Sequence, residues 1–195
     1  LVEKIKSTDF FGIDAILSVC PFYNKPNQEG IYRHFEAVAN ASTVPVIAYN
    51  VPGRTGGGIS AATTIRIAKE LKNVIGIKEA SGNISQIMEI IHNTPEDFLV
   101  ISGDDALTLP ILAAGGDGVI SVVANAFPKL FSQMVNNCLK GDFENARINH
   151  YKLLEITNAF FADGSPGGVK VALETLDICN NILRLPLTKV NEQLQ

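Results

Sequence analysis

Hydrophobic residues along the chain fall into two alternating patterns, and the first consists of short, almost continuously apolar runs. Five such runs are present: Ala15–Val19, Val46–Asn50, Val74–Lys78, Leu99–Ser102 and Gly118–Val122. Short runs without polar alternation are typical of parallel strands buried on both faces. We therefore expect five buried parallel strands.

The second pattern places apolar residues at helical spacing between these runs. Ile31, Phe35, Val38 and Ala39 share one face of a helix predicted at Gln28–Ala41. Three further helices follow residues that favour N-caps; they are predicted at Ala61–Leu71 after Ser60, from Asn83 through Ile91, and at Ala106–Ala114 after Asp105. Beyond the fifth run only helices are predicted, at Pro128–Lys140, Phe143–Phe161 and Gly168–Leu176.

Strands that alternate with helices indicate βαβ units and a parallel sheet. An open doubly wound sheet and a (β/α)8 barrel both fit such units, and the five units present are fewer than the eight of a barrel. The chain has no starting Met and opens on LVEKIKSTDFFG, which is typical of the end of a helix. We therefore expect about three earlier units, of roughly 30 residues each, to precede Leu1 in the complete protein.

Composition and charge exclude several classes of protein. The net charge of -4 provides no basic surface for nucleic acid, and no apolar run reaches the ~18 residues of a membrane span. Cys20, Cys138 and Cys179 form neither a metal-ligand pattern nor a disulfide framework, which predicts reduced thiols and a cytoplasmic location. Histidines fall in predicted helices and are expected to face solvent: His34, His92 and His150.

Residue types that support catalysis cluster directly after the predicted strands, where the active sites of (β/α)8 barrels lie. Lys78 ends the apolar run VIGIK. Burial disfavours a charged ammonium group, and a neutral amine is a nucleophile that forms Schiff bases with carbonyl compounds. The alternative is a structural lysine whose head group extends to the strand end and pairs with Glu79 or Asp104.

Tyr49, Asn50 and Arg54 follow the second strand in YNVPGRT. A phenol at a strand end can donate and accept protons, although a tyrosine at the edge of the core with a satisfied hydroxyl is the commoner case. The planar guanidinium of Arg54 suits a substrate carboxylate, and a surface arginine without that role is the alternative.

Two glycine clusters lead to different interpretations. Gly115–Gly118 follows a helix and opens a strand, so it lies opposite the strand ends and is interpreted as a turn. Gly56–Gly58 follows a strand, which keeps a phosphate-binding barrel enzyme as another interpretation.

Several motifs together resemble the dihydrodipicolinate synthase family. They are PFYNKPNQEGIYRHF near the start, YNVPGRTG at Tyr49–Gly56, GIKEASGN at Gly76–Asn83, SGDD at Ser102–Asp105 and the GVISVVAN that follows it. These motifs cover essentially the whole chain in the order and spacing of the family. The resemblance implies an α/β fold, a (β/α)8 TIM barrel of which strands 4–8 are present at residues 1–140, followed by a C-terminal helical domain at 141–195.

The same resemblance implies a class I aldolase that condenses pyruvate with L-aspartate 4-semialdehyde to 4-hydroxy-tetrahydrodipicolinate, on the route to diaminopimelate and lysine. Lys78 takes the place of the Schiff-base lysine, Tyr49 that of the proton-relay tyrosine, and Tyr23 that of a tyrosine that reaches a neighbouring subunit's site. No metal or organic cofactor is implied. The family is usually a dimer of dimers, so a homodimer or homotetramer is expected.

The implied substrate-binding residues lie in the same motifs. Arg54 would bind a substrate carboxylate, Asn50 lies beside it in the motif, and the backbone around Gly103 and Ile120 would line the pocket. N-acetylneuraminate lyases and keto-deoxy sugar-acid aldolases share the lysine and the tyrosine on the same scaffold. The Arg54 motif argues against them, because a sugar substrate does not need that arginine.

Two departures from the family pattern change the expectations. The family's Gly-Thr-Thr-Gly-Glu segment, whose threonines serve the proton relay and bind the pyruvate carboxylate, is absent. A protein that began at Leu1 would therefore show weak or no turnover and would be an inactive fragment. Phe22 stands where lysine-inhibited members tend to have tyrosine, so feedback control by lysine is not implied.

Overall fold

The computed structural model describes every residue from Leu1 to Gln195. The strands are β1 (Ile16–Val19), β2 (Val46–Asn50), β3 (Val74–Glu79), β4 (Leu99–Ser102) and β5 (Gly118–Val119). The α-helices are α1 (Val2–Lys6), α2 (Gln28–Ala41), α3 (Pro52–Thr55), α4 (Ala61–Glu70), α5 (Ile84–Asn93), α6 (Thr108–Ala113), α7 (Pro128–Leu139), α8 (Phe143–Ala162) and α9 (Gly167–Thr175). Two 3-10 helices lie at Val123–Asn125 and Glu192–Leu194.

The strands form one sheet whose spatial order, β1-β2-β3-β4-β5, is the order of the sequence. Strands β1 to β4 pair in parallel. A doubly wound sheet reverses its strand order at a switch point, whereas in a (β/α)8 barrel each strand pairs with the next one along the chain. The observed order therefore favours the barrel.

The bounds of β2 and β4 are as predicted, β1 begins one residue later and β3 ends one residue later, and β5 ends at Val119 and not at Val122. The backbone N–H groups of Val122 and Val123 hydrogen-bond to the carboxylate of Asp105, at 3.0 and 3.1 Å, and so are not available to a neighbouring strand. Asp105 was the predicted N-cap of a helix from Ala106. That helix, α6, begins two residues later, at Thr108, and the Asp105 carboxylate fixes the loop that follows β5.

The two faces of the sheet differ in burial. Ser18, Ala48, Ile77 and Val100 are registered neighbours on one face, and each is at most 8% exposed. On the other face of β1, Leu17 is 45% exposed. We predicted burial on both faces for all five strands, and this prediction is wrong for β1. Strand β1 pairs only with β2, and its open face lines an apolar cavity of about 620 Å³.

Side-chain caps fix the starts of the helices that follow β2 and β3. Ser60 accepts a hydrogen bond from the backbone N–H of Thr63, and Asn83 accepts one from that of Gln86, which confirms both predicted N-caps. Helix α2 has the predicted bounds and is capped by Asn27. These local signals orient the helices that pack on the buried face of the sheet.

The chain divides into two compact units, Leu1–Asp104 with Ala114–Gly118, and Asp105–Ala113 with Val119–Gln195. The first holds β1 to β4 and helices α1 to α5. The second has its own apolar core, formed by Leu112, Val123, Ala126, Phe131, Met134, Cys138, Ala146, Leu153, Phe160 and Val169. Because α7 and α8 share that core, the second unit extends across residue 140, and the domain boundary predicted there stays a prediction.

The three histidines differ in exposure. His92 is exposed as predicted, whereas His34 and His150 are half-buried. Burial lowers the pKa of both half-buried imidazoles. None of the helices combines the length and the apolar character needed to cross a membrane.

Candidate active site

Lys78 and Tyr49 lie side by side at the carboxyl ends of β3 and β2. They are registered partners in the parallel ladder, and the Nζ atom of Lys78 lies 4.4 Å from the centroid of the Tyr49 ring. Both side chains are half-buried. The predicted nucleophile and the predicted proton-transfer group are therefore brought together, in a geometry that also allows a cation–π contact.

Burial raises the pKa of the Tyr49 phenol, and the positive charge of Arg54 partly opposes that rise. The phenol therefore keeps its proton at neutral pH and is available as a hydrogen-bond donor. Arg54 itself lies in α3, the short helix that begins with Pro52, two residues after the end of β2, and is closed by the C-cap Gly56, whose φ of 69° is left-handed. This turn holds an exposed guanidinium close enough to act on the Tyr49 phenol.

Gly103 provides the space that the Lys78 side chain occupies. A Cβ atom at position 103 would lie 3.0 Å from Cε and 3.1 Å from Cγ of Lys78, and 2.8 Å from Cβ of Ala80. The N–H of Gly103 donates to the carbonyl of Glu79 at 2.8 Å, so its backbone is fixed against β3. The absence of a side chain at Gly103 thus sets where the methylenes of Lys78 run.

The loop after β1 contacts the loop after β2. Tyr23 is 88% exposed and has a φ of 67°, and Lys25, with a φ of 46°, lays its side chain across Gly56 and Gly57. The structure does not bring Tyr23 together with Lys78 and Tyr49 within this chain, so its reach into a neighbouring subunit stays a prediction.

Ile120, 39% exposed, belongs to the second compact unit and follows β5.

Asn50 has no exposed polar surface for a substrate. Asn50 is 1% exposed. Its Oδ1 accepts a hydrogen bond from the N–H of Ile59 at 2.9 Å, and its Nδ2 donates to Oε1 and Oε2 of Glu79 at 3.1 and 3.0 Å. The sequence suggested Asn50 as a substrate-binding residue because of its place in the motif. The structure gives its amide internal partners, on the face of the sheet opposite to Lys78.

The burial and the hydrogen bonds of Glu79 were not predicted from the sequence. It was considered only as an ion-pair partner of Lys78, yet it is 0% exposed and its carboxylate accepts from Asn50, from the N–H of Ser81 at 2.8 Å and from Gln86 at 3.4 Å. The signal that could have found it is the two-residue period of a strand, which places adjacent residues on opposite faces.

The glycine clusters have packing explanations. Gly115, with a φ of 104°, lies in the turn before β5, where the N–H of Asp117 donates to the carbonyl of Val100, as the turn interpretation predicted. A Cβ on Gly58 would lie 2.9 Å from Cγ of Pro52, so a glycine there allows the loop to close on α3.

Comparison with known proteins identifies relatives along the whole chain. The profile of the Dihydrodipicolinate synthetase family matches residues 2–195. The 4-hydroxy-tetrahydrodipicolinate synthase of Parabacteroides distasonis is 54% identical over 187 residues, which are 96% of this chain and 63% of that protein. The protein of the same name from Flavobacterium psychrophilum is 53% identical over 194 residues, 100% of this chain and 66% of that protein.

Solved structures agree with the sequence relatives. The dihydrodipicolinate synthase of Aquifex aeolicus superposes with a TM-score of 0.95 at 40% identity, over 99% of this chain and 66% of that one. A chloride-inhibited dihydrodipicolinate synthase of Acinetobacter baumannii, in complex with pyruvate, gives a TM-score of 0.94 at 39% identity, over 99% and 66%. The (β/α)8-barrel fold class is confirmed by these similarities, and the chain spans 63–66% of the length of these four proteins. The chain belongs to the Dihydrodipicolinate synthetase family.

Proposed function

We propose that Lys78 is the Schiff-base nucleophile of a class I aldolase, and that its carbonyl substrate is pyruvate. The observation that carries the proposal is the pairing of Lys78 with Tyr49 at adjacent strand ends, with Nζ 4.4 Å from the phenol ring. The name shared by the relatives from Parabacteroides distasonis and Flavobacterium psychrophilum supports 4-hydroxy-tetrahydrodipicolinate as the product, and L-aspartate 4-semialdehyde as the second substrate. The enzyme is then a lyase of diaminopimelate and lysine biosynthesis.

In this reaction the neutral amine of Lys78 adds to the ketone carbon of pyruvate, and the carbinolamine loses water to give the imine. The methyl carbon then loses a proton, and the resulting enamine forms the carbon–carbon bond with the aldehyde carbon of the semialdehyde. Ring closure by the amino group of the semialdehyde displaces Lys78 and restores the free amine. Tyr49, protonated and next to Nζ, donates the proton that the departing hydroxyl of the carbinolamine needs.

The remaining residues bind and position the substrates. The exposed guanidinium of Arg54 holds the carboxylate of the semialdehyde, because a planar fork of N–H donors matches a carboxylate. Backbone groups near Gly103 line the pocket beside Lys78. Tyr23 extends the site toward a second copy of the chain, which its 88% exposure supports.

The assembly and the compartment belong to the same proposal. A homodimer or homotetramer in the cytoplasm agrees with the exposed Tyr23 and with three free cysteines, which suit a reducing compartment. A monomeric variant among the solved dihydrodipicolinate synthases indicates that assembly varies between relatives. No cofactor enters the steps above.

A sugar-acid lyase on the same scaffold is the second candidate. It would use the same lysine and tyrosine, so trapping with pyruvate alone does not separate the two. Competition between the two acceptor aldehydes, L-aspartate 4-semialdehyde and N-acetylmannosamine, does, because only the first carries a carboxylate for Arg54 to bind.

The test is reduction of the protein with borohydride in the presence of pyruvate, followed by peptide mass mapping. We expect one pyruvate-derived adduct on Lys78, no adduct in Lys78→Ala, and an undiminished adduct in Lys152→Ala, which removes an exposed lysine on α8. An adduct on another lysine would identify that lysine, and not Lys78, as the nucleophile. A folded protein without any adduct would reject Schiff-base chemistry for this chain.

A further inference from the structure

Three polar residues occupy a row on the buried face of the sheet, directly behind the candidate site. Asn50, Glu79 and Ser102 are registered neighbours at the ends of β2, β3 and β4, and they are 1%, 0% and 0% exposed. Each follows by one residue a position on the open face: Tyr49, Lys78 and Ile101 form the adjacent registered row. The polar row and the catalytic row are therefore the two faces of the same strand ends.

Glu79 is a fully buried carboxylate whose partners are neutral donors. It accepts from Nδ2 of Asn50 at 3.0 and 3.1 Å, from the N–H of Ser81 at 2.8 Å and from Nε2 of Gln86 at 3.4 Å. Removing a carboxylate from water is unfavourable unless its hydrogen bonds are replaced with good geometry. An apolar side chain would fill the space behind β3 without this cost. What Glu79 adds to an apolar side chain is a set of hydrogen bonds with fixed geometry.

These bonds connect segments that follow two different strands. Asn50 ends β2, and its amide also holds both backbone groups of Ile59, ahead of α4, at 2.9 and 3.3 Å. Gln86, in the first turn of α5, bonds to Glu79 and to the carbonyl of Ile59 at 3.2 Å. One carboxylate thus fixes the end of β2, the entry to α4 and the entry to α5 relative to β3.

The register between β2 and β3 needs such a fixed point. Val46 pairs with Val74 but Ile47 pairs with Gly76, so the ladder shifts by one residue at its amino end. A one-residue shift in a strand turns every later side chain to the other face. The first pair of the ladder, Val46 with Val74, is therefore out of register with Tyr49 and Lys78, whereas the Asn50–Glu79 bond joins the pair directly after them, in the same register.

We propose that Glu79 and Asn50 are positioning residues that hold Lys78 against Tyr49 by pinning the register of β2 and β3 from behind the site. The inference rests on the proposed function insofar as Lys78 is the nucleophile. Glu79 does not touch the substrate in this account; it acts through the backbone of β3 and through Asn50.

The test compares Glu79→Gln, Asn50→Asp and the double variant, which exchanges donor and acceptor between the two positions. Asn73→Ala is the matched control, because Asn73 makes three hydrogen bonds at the opposite end of β3, to the carbonyls of Ala39, Ser42 and Val44. The first readout is competitive acetylation of Lys78 against the exposed Lys140 across pH. The second is the rate of adduct formation with pyruvate and borohydride, and the third is the melting temperature.

We expect Glu79→Gln to change the acetylation profile of Lys78 and to lower the rate of adduct formation by about tenfold or more, since small displacements at a reacting group have effects up to about a hundredfold. The double variant should recover most of that loss. Asn73→Ala should lower the melting temperature and leave both Lys78 readouts unchanged. If Glu79→Gln does not fold, Gln86→Met removes one outer donor and should show the same changes at smaller size.

Loss of melting temperature with an unaltered Lys78 profile and adduct rate would overturn the inference and make Glu79 a structural residue only. Absence of rescue in the double variant would also count against it. If the unmodified chain forms no pyruvate adduct, the proposed function fails, while the acetylation profile still decides whether Glu79 positions Lys78.

Discussion

Replacing Gly103 with alanine is expected to displace Lys78 and to destabilise the protein. The new methyl group would stand 2.8 Å from Cβ of Ala80 and 3.0 and 3.1 Å from Cε and Cγ of Lys78. Position 103 is tied to Glu79 by a backbone hydrogen bond of 2.8 Å and Ala80 to Asn50 by one of 2.9 Å, so the lysine side chain is the part that can move. Overpacking of this kind costs about 1–3 kcal/mol.

The assay measures urea unfolding and the pyruvate adduct on Lys78 in three glycine variants. Gly103→Ala should lose adduct formation and part of its free energy of unfolding. Gly168→Ala places a methyl group 2.6 Å from the Cα atom of Phe160, so it should lose at least as much stability without altering any contact of Lys78. Gly118→Ala meets nothing within 4 Å and should change neither. Full adduct formation in Gly103→Ala at normal stability would refute the idea that this glycine shapes the lysine's path.

Three further perturbations address other parts of the molecule. Arg54→Ala should weaken the semialdehyde far more than pyruvate in steady-state kinetics, and equal effects on both would reject the carboxylate role. Asp105→Ala removes the acceptor of the Val122 and Val123 N–H groups and should lower the free energy of unfolding by about 2 kcal/mol in urea titrations. His150 has its pKa lowered from 6.5 by burial, so the unfolded chain binds the proton more tightly. Stability should therefore fall as the pH drops from above 6.5 through the lowered pKa, and His150→Gln should reduce that slope between pH 7 and pH 5 in thermal melts.

Local features of the sequence were sufficient to predict most of the fold. The apolar runs located β2 and β4 without error, and the hydroxyl of Ser60 and the amide of Asn83 marked helix starts because an N-cap acts within three residues. Features that depend on distant partners were not predictable in the same way. The bounds of β5 depend on the carboxylate of Asp105, 17 residues earlier, and nothing in a local window indicates that contact.

The site shows the same division between local and distant causes. Lys78 was predictable because a lysine at the end of an apolar strand is unusual wherever it occurs. The contacts of Asn50 were not, since its amide pairs with Glu79, 29 residues away, and the ladder between β2 and β3 contains a register shift at Val46 and Ile47 that has no sequence signature. The two-residue period of a strand does place Glu79 and Lys78 on opposite faces of the sheet. It does not predict which residue of β2 is the cross-strand neighbour of each.

Lys78, as the proposed nucleophile, must admit a substrate and cannot be packed from its open side, so its position has to be fixed from the other directions. Tyr49 flanks Lys78 on the neighbouring strand, and Gly103 leaves a channel for its methylenes on the other side. Behind the strand, the Asn50–Glu79 bond replaces the packing that the open face lacks. If Lys78 is the nucleophile, the buried polar row and the half-buried row of Tyr49 and Lys78 are consequences of one requirement. That requirement explains why a charged residue lies in the interior of the sheet one position after the lysine.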